Sequence, residues 1–433
     1  MWGAVAPPAM ELTMSDSGMD RRDFLKGIAA GAVVLLTADR LLAAEESAEP
    51  AFSGPAVKIG VIGLGQWGKD LVSTLSKMPS AQVTAICDNY EAYVKRAVKI
   101  APNAATFDDY RKLLESKGVE AVVIATPTHQ HKQIVLEAIQ AGKHVYCESP
   151  LAASIEDAKA IAQAGKASKQ VFQAGQQGRS NLLYTHVEKF VRTGALGKPA
   201  QAYAQNNKKQ SWRRMAPDPE REKIVNWRLS KETSPGIIGE VGIHQIDLAN
   251  WYLAGLPTAV TGFGSLINWA DGRDVPDTVQ CVIEYPNDIR MVFTSTLVSS
   301  FSNEYTLFQG SDSSLALREN RGWMIKEADS PLLGWEVYAR KEICFDEANA
   351  ICMIADATKI LKDGKEPGKE ENIPPTKEAI YLALEGFTKS VRGGGKVACG
   401  AVEGYQAAVA ALKANEAINA NTRVTIDKSL YEV

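Results

Sequence analysis

The chain has 433 residues, with 48 Lys and Arg against 51 Asp and Glu and a formal net charge of −3. That length suggests two domains, and the charge balance, without a long basic run, speaks against a nucleic-acid partner. An apolar fraction of 45% and a charged fraction of 23% are ordinary for a globular protein with a sizeable core. The six cysteines, Cys87, Cys147, Cys281, Cys344, Cys352 and Cys399, show no C-x-x-C spacing, so neither a metal site nor a disulfide framework is expected.

Residues 1–44 read as an export signal, not as fold. Asp20-Arg21-Arg22-Asp23-Phe24-Leu25-Lys26 precedes an apolar run from Gly27 to Ala38, and Leu41-Leu42-Ala43-Ala44 offers a small-residue cleavage zone. The paired arginines resemble a twin-arginine signal. Asp39 and Arg40 interrupt the run well short of the roughly 20 apolar residues a membrane span needs, so no stable membrane anchor is expected. The expectation is a soluble, periplasmic or otherwise exported protein that first meets the twin-arginine export machinery. Residues 45–55 follow as a linker or arm.

Residues 56–176 alternate strand and helix, the pattern of a doubly wound parallel sheet. Val57 to Ile62 is an apolar strand, and Gly63, Gly65 and Gly68 follow at the G-x-G-x-x-G spacing. In that fingerprint Gly63 allows the tight turn and Gly65 lets the backbone, with Gln66 and Trp67, approach a pyrophosphate. Gly68 lets the following helix, with Leu71, Val72, Leu75 and Met78 on one face, pack against the strand. Strand Ala81 to Cys87 ends at Asp88, about 20 residues further on, where a carboxylate binds ribose hydroxyls and repels a 2′-phosphate. No Arg or Lys follows directly, so NAD is expected before NADP. Helices at Ala92–Ile100 and Tyr110–Leu114 lead to strand Ala121–Ala125, which ends in Thr126-Pro127-Thr128-His129-Gln130-His131. A helix closed by Gly142, strand His144–Cys147, Glu148-Ser149-Pro150, helix Ile155–Ala167 and strand Gln170–Ala174 complete the unit. Ligands of open α/β sheets sit at the carboxyl ends of the strands, so the glycines, Asp88, Thr126–His131 and Glu148 should border one cleft.

Residues 177–433 read as an α+β domain. Helix Asn181–Thr193 and strand Gln201–Asn206 precede a polar loop from Lys208 to Thr233, and then come long alternating segments with turns at 286–288, 310–312 and 319–322, the pattern of a large mixed or antiparallel sheet. Residues 340–375 read as irregular, and helices are expected at Lys377–Val391 and Ala401–Asn419.

Across residues 56–427 the chain resembles the Gfo/Idh/MocA family, the relatives of glucose-fructose oxidoreductase and inositol dehydrogenase. The likeness rests on Val-Ile-Gly-Leu-Gly-Gln-Trp-Gly at 61–68, Ala-Thr-Pro-Thr-His-Gln-His at 125–131, Cys-Glu-Ser-Pro at 147–150, Gly-Ala-Leu-Gly-Lys-Pro at 194–199, and above all Gly239-Glu240-Val241-Gly242-Ile243-His244-Gln245-Ile246-Asp247. It implies a Rossmann domain, and a second domain whose open sheet serves substrate binding and assembly into a homo-dimer or homo-tetramer. It also implies a cofactor site of Gly63, Gly65, Gln66, Trp67, Asp88, Thr126, Pro127, His131 and Glu148. The family usually carries Glu-Lys-Pro where this chain has Glu148-Ser149-Pro150, and the lysine binds the hydroxyl that loses its proton. Ser149 has no comparable acid–base capacity. His244 is then the candidate base, since an ordinary imidazole titrates near neutrality. Glu240, one turn earlier on a helix, orients it or acts beside it. Asp247 and Arg179 are candidate substrate ligands, and Tyr184, Lys209, Trp212, Arg213 and Trp227 are available for a sugar site.

Export bears on mechanism, because an exported nicotinamide enzyme has no free cofactor pool to draw on. The expectation is a tightly held NAD recycled within each turnover, on a sugar or glycoside substrate. Two chemistries fit: oxidation of one sugar with reduction of another acceptor, and a redox-neutral glycoside hydrolysis through transient C3 oxidation, elimination and water addition. A non-catalytic sugar- or nucleotide-binding protein is the third reading.

Overall fold

Six short apolar segments build the first sheet. In the computed structural model, which describes residues 54–318, 321–332, 336, 339–353 and 378–433, β1 (Val57–Ile62), β2 (Ala81–Cys87), β3 (Ala105–Phe107), β4 (Ala121–Ile124), β5 (His144–Cys147) and β6 (Phe172–Ala174) are all parallel. Their order is β3-β2-β1-β4-β5-β6. β4 is buried at every position, as a strand covered on both faces must be. Side chains alternate between two helical layers. Val57, Ile59, Val61, Val123 and Tyr146 meet α1 (Gln66–Leu75) and α2 (Glu91–Val98). Ile62, Val122, Ile124, Val145 and Cys147 meet α3 (Tyr110–Glu115), α4 (His131–Gln140) and α5 (Ile155–Ala167). The strand order reverses between β1 and β4, the place where such sheets open a ligand crevice.

The second sheet has ten strands among the described residues: β7 (Pro199–Asn207), β8 (Ala259–Ser265), β9 (Thr278–Glu284), β10 (Arg290–Thr296), β11 (Glu304–Gly310), β12 (Ser313–Arg318), β13 (Arg321–Lys326), β14 (Lys341–Cys344), β15 (Glu347–Met353) and β16 (Arg423–Thr425). They run in the order β14-β15-β13-β12-β11-β7-β10-β9-β8-β16, antiparallel except for β7 beside β10. One face, with Val279, Cys281, Ile283, Met291 and Phe293, is buried with α6 (Leu182–Arg192), α8 (Ile243–Tyr252) and the central helix Ala401–Ala420. The other face carries Tyr203, Val282, Val292 and Leu307 half-buried and Phe263 exposed. The α/β-plus-α+β class expected from sequence is what the chain adopts.

Three features depart from the sequence reading. Part of the span expected to be irregular, 340–375, is the β14–β15 hairpin, and the stretch from 354 to 377 lies outside the described residues, as does the expected signal at 1–44. The hairpin turn places Phe345 and Asp346 in the left-handed region (φ 50° and 69°), a conformation that sequence normally announces with Asn-Gly or Asp-Gly. Within the polar loop 208–233 lies α7 (Pro219–Val225), capped by the Asp218 side chain on the Arg221 amide, with Pro at its first position. Finally α9 (Ala379–Val391), which precedes α10 (Ala401–Ala420), returns to the first sheet. Ile380, Ala383, Leu384 and Phe387 join its core, Phe387 meets Tyr146 edge-on at 5.8 Å, and Gln173 Nε2 donates to the Ala383 carbonyl (3.0 Å).

α9 therefore carries stability of the first domain, although some 200 residues separate it from β6. Phe387→Ala should cost about 3–5 kcal/mol, the range for emptying a buried aromatic site, as measured by the urea midpoint. A loss below about 1 kcal/mol would mean that α9 is peripheral to that core.

Candidate active site

The turn after β1 is shaped by what glycine omits. Gly63 sits at φ +91°, and a Cβ on it would lie 2.7 Å from the Ala125 carbonyl group. A Cβ on Gly68 would lie 1.8 Å from the Gly63 carbonyl oxygen, so α1 seats directly on the end of β1. A Cβ on Gly65 would meet nothing within 4 Å, leaving the approach to the helix N-terminus open. No side chain caps α1 there, so its amides are available to an anion. Asp88 is locked against this turn: Oδ2 accepts from the Leu64 amide (2.7 Å) and Oδ1 from the Tyr90 amide (2.8 Å). Burial pushes its carboxyl upward in pKa, opposed by those amides and by Arg221.

A cavity of about 810 Å³ runs along the strand ends from this turn, within the range of cofactor sites. Gly63, Gly65, Gln66, Trp67, Asp88, Thr126 and Pro127, all expected at the cofactor, line it. Its opposite wall is the segment from Arg214 to Arg228, which sequence reasoning did not place there.

The ends of β4, β5 and β6 supply buried polar groups. Thr126 Oγ1, Glu148 Oε1 and Gln176 Oε1 are buried with no hydrogen-bond partner in the protein. Native structures leave few such atoms unsatisfied. Burial pushes the Glu148 carboxyl up to about 7, against the pull of hydrogen bonds from Trp67 and the Ser149 amide. Ser149 Oγ accepts from Gln176 Nε2 (2.8 Å). The open cradle at Gly65, the Asp88 carboxylate and the unsatisfied Thr126 hydroxyl, which line this cavity, fit a nicotinamide dinucleotide extended along the strand ends; Glu148, also expected at the cofactor, is buried behind and does not line it, nor does Gln176.

His131 departs from its expected role. It is 1% exposed and lines neither cavity described here. Nε2 faces the Thr126 carbonyl (2.9 Å) and Nδ1 the Pro150 carbonyl (3.1 Å); the neutral ring carries one N–H and donates to one of them, wedged between the ends of β4 and β5. Burial holds its pKa down to about 4. His129 takes the place in the cleft instead, with Trp227 edge-on at 6.0 Å. The cause is a 3-10 turn, Thr128–Gln130, which precedes α4 and turns residue 131 inward at the first helical position.

A second cavity of about 350 Å³ adjoins the first through Trp67, which lines both. His244 lines it, half-buried, and burial holds its pKa down to about 4, so its ring is neutral at physiological pH. Arg179 and Asp247 line it as a two-point ion pair, Nε to Oδ2 and Nη2 to Oδ1, both 2.8 Å. Burial opposes the Arg179 charge, and the Asp247 carboxylate outweighs it and raises the guanidinium pKa. Tyr184, Trp251, Asn206 and Glu304 complete much of the wall. Sequence reasoning passed over Glu304, which starts β11 and accepts from Gln245 Nε2 (2.9 Å). Of the other aromatic and basic candidates, Trp227 lies in the first cavity, Arg213 is tied to Glu222 and to the Asp271 carbonyl, and Lys209 and Trp212 line neither cavity.

Glu240 is not placed to orient His244. Its carboxylate accepts from Thr128 Oγ1 (3.0 Å) and Arg228 Nε (2.7 Å), and it lines neither cavity. Ile238–Gly242 form a π-helical turn before α8, so the four-residue registry assumed from an α-helix does not apply. Such turns recur at functional sites.

A model of the oxidoreductase family with an NAD-binding Rossmann fold matches residues 57–176, and one of the GFO/IDH/MocA C-terminal domain matches 184–316, together more than half the chain. Inositol 2-dehydrogenase of Salmonella paratyphi B is 27% identical over 200 residues, 46% of this chain and 54% of that protein, so the match spans about half the relative's length. The 2,7-anhydro-N-acetylneuraminate hydratase of Escherichia coli is 25% identical over 265 residues, 60% of this chain and 67% of that protein. Levoglucosan dehydrogenase, solved with NADH and levoglucosan, has a TM-score of 0.69 at 21% identity, covering 86% of this chain and all of that one; it shares the fold.

The burial of His131 predicts a pH dependence. Its pKa is about 4 folded and ordinarily 6.5, so between those values the unfolded chain binds more protons and stability rises with pH. The contribution is complete above about pH 6.5 and is lost as pH falls towards 4, roughly 2–4 kcal/mol in all. His131→Gln should show a flatter dependence of unfolding free energy between pH 4 and 7 than the wild type. Parallel curves would refute the assignment.

Proposed function

The chain belongs to the Gfo/Idh/MocA oxidoreductase family, and from that premise we propose that it is an NAD-dependent oxidoreductase of a sugar or glycoside. One observation carries the reading: the cavity built on the glycine turn and Asp88 shares Trp67 with the cavity that His244 lines. The residues of the first cavity would hold the dinucleotide, and the adjoining second cavity would hold the substrate. The named relatives, an inositol dehydrogenase and an anhydro-sugar hydratase, support a polyhydroxylated substrate.

A bound nicotinamide dinucleotide supplies hydride acceptance at a substrate carbon. The protein's own work is to position that carbon and remove its hydroxyl proton. His244, neutral at physiological pH, accepts that proton. Ser149 does not, since its hydroxyl stays protonated near neutrality and already accepts a bond from Gln176. Tyr184 and Trp251 offer ring faces and Asn206 an amide to sugar hydroxyls. Asp88 favours NAD over NADP through its carboxylate at the ribose end.

The serine in place of lysine and the hydratase relative favour one variant of this reading: a redox-neutral reaction in which substrate oxidation is transient and water is added or a glycoside cleaved. Release of nitrophenol from a panel of nitrophenyl glycosides, dependent on bound NAD, supports the variant; no release, with net oxidation of free sugars, supports ordinary dehydrogenation.

The Arg21-Arg22 signal supports twin-arginine export to the periplasm, and a periplasmic enzyme must retain its cofactor. The exposed face of the second sheet, with Phe263, supports assembly into a dimer or tetramer. In the purified exported protein, NAD and NADH released on denaturation should approach one per chain after dialysis. His244→Ala should retain that cofactor and lose roughly 10²–10⁴ in rate. An unchanged rate removes His244 from the mechanism.

A further inference from the structure

We propose that Arg221 is the retention clasp of the cofactor cleft, closing its adenosine end by carrying α7 of the second domain onto the Asp88–Tyr93 loop of the first. The inference rests on the dinucleotide reading above and deepens it.

The cleft has two walls of different construction. The first is the rigid set of strand ends. The second is the segment of Arg214, Arg221, Ile224, Val225, Trp227 and Arg228, so a dinucleotide along the strand ends would be covered by chain of the second domain. That segment is braced at its base, where Asn226 bonds the Arg214 amide (2.7 Å) and carbonyl (3.0 Å). Towards the His129 end, Arg228 holds Glu240 (2.7 Å), which in turn accepts from Thr128 (3.0 Å). α7 itself contributes no buried residue. Core packing therefore does not hold it down.

Arg221 does. Its Nη1 donates to Asn89 Oδ1 (2.9 Å), its Nη2 lies 3.9 Å from Asp88 Oδ1, and its guanidinium stacks 4.2 Å over the Tyr90 ring and 5.6 Å from Tyr93. The side chain is 12% exposed, and its Nε is buried without a partner. Both Asp88 oxygens already accept backbone amides, so a ribose diol arriving there shares them within reach of the guanidinium. The clasp thus touches the adenosine half of the ligand and nothing of the reacting half, and the cofactor leaves only when the Arg221 contacts break.

The test uses the full mature protein and three ligands. Stopped-flow displacement of NADH gives the dissociation rate, and titrations with ADP-ribose and with nicotinamide mononucleotide separate the two halves. Arg221→Met should release NADH about tenfold faster and bind ADP-ribose about tenfold more weakly, the scale of one charge-assisted contact. Nicotinamide mononucleotide binding should not change, and Arg221→Lys should recover part of the loss. Unchanged NADH release and ADP-ribose affinity would overturn the clasp while leaving the dinucleotide site intact, as would an equal loss for all three ligands. A wild-type protein that binds neither NADH nor ADP-ribose would overturn the dinucleotide reading itself, before any variant is made.

Discussion

Everything in the cleft depends on how closely α1 sits on β1. There is no room at residue 68 for a single carbon beyond the backbone, because the Gly63 carbonyl occupies that space. This contact fixes the direction in which α1 leaves the sheet and therefore where its free amides point. The first turn of α1 holds no acidic residue, so no side chain competes with an incoming anion for the positive end of the helix. Asp88 is bonded to the Leu64 amide inside the same turn. The pyrophosphate position and the ribose position are thus set by one rigid piece of backbone.

At the ends of β4, β5 and β6 lie groups that are unsatisfied in the protein alone, Thr126 lining the cleft, Gln176 the second cavity and Glu148 neither. Thr126, Glu148 and Gln176 each leave an acceptor oxygen buried and unpaired, a cost of about 1–3 kcal/mol apiece, which at Thr126 a bound dinucleotide can relieve with its own hydroxyl and amide donors. Trp67 lines both cavities. One residue of the glycine turn therefore borders both cavities. His131, by contrast, relieves nothing in the cleft. It holds the loops after β4 and β5 in register, and so sets the separation between Thr126 and the Glu148–Pro150 turn.

Sequence carried most of the first domain because its signals are local: an apolar run, a glycine spacing and a carboxylate at a strand end each lie within a few residues of the structure they specify. Seven of the nine residues expected at the cofactor line the cleft for that reason. The failures are places where long-range packing decides. Two histidines two residues apart were separated by a 3-10 turn whose existence depends on the neighbouring loops. Glu240 was expected beside His244 on α-helical spacing, and a π-turn and Arg228 drew it elsewhere. Arg221 answers the search for a cation near Asp88, which looked only at the residues directly after it in sequence. The β14–β15 hairpin escaped notice because Phe345 and Asp346 adopt a turn usually given to glycine and asparagine.

Ser149 stands where the resembled family carries a lysine, so the turn after β5 offers Gln176, which lines the second cavity, a hydroxyl and no fixed cation. Arg179 is the cation in its wall, and Asp247 neutralises it through two hydrogen bonds. Glu304 and Glu378 also line the cavity. Among the described residues of that wall the cation is Arg179, already paired with Asp247, so the proton of a hydroxyl reacting there must leave as charge develops. Burial disfavours an imidazolium at His244, so any proton taken there is passed on readily. A lysine at position 149 would have supplied a fixed positive charge before the reaction. In the proposed mechanism the positive charge would arise on His244 during the reaction and leave with the proton. That arrangement suits a cycle in which the substrate is deprotonated and then reprotonated within one turnover, and it is the physical reason to hold the redox-neutral variant beside simple dehydrogenation.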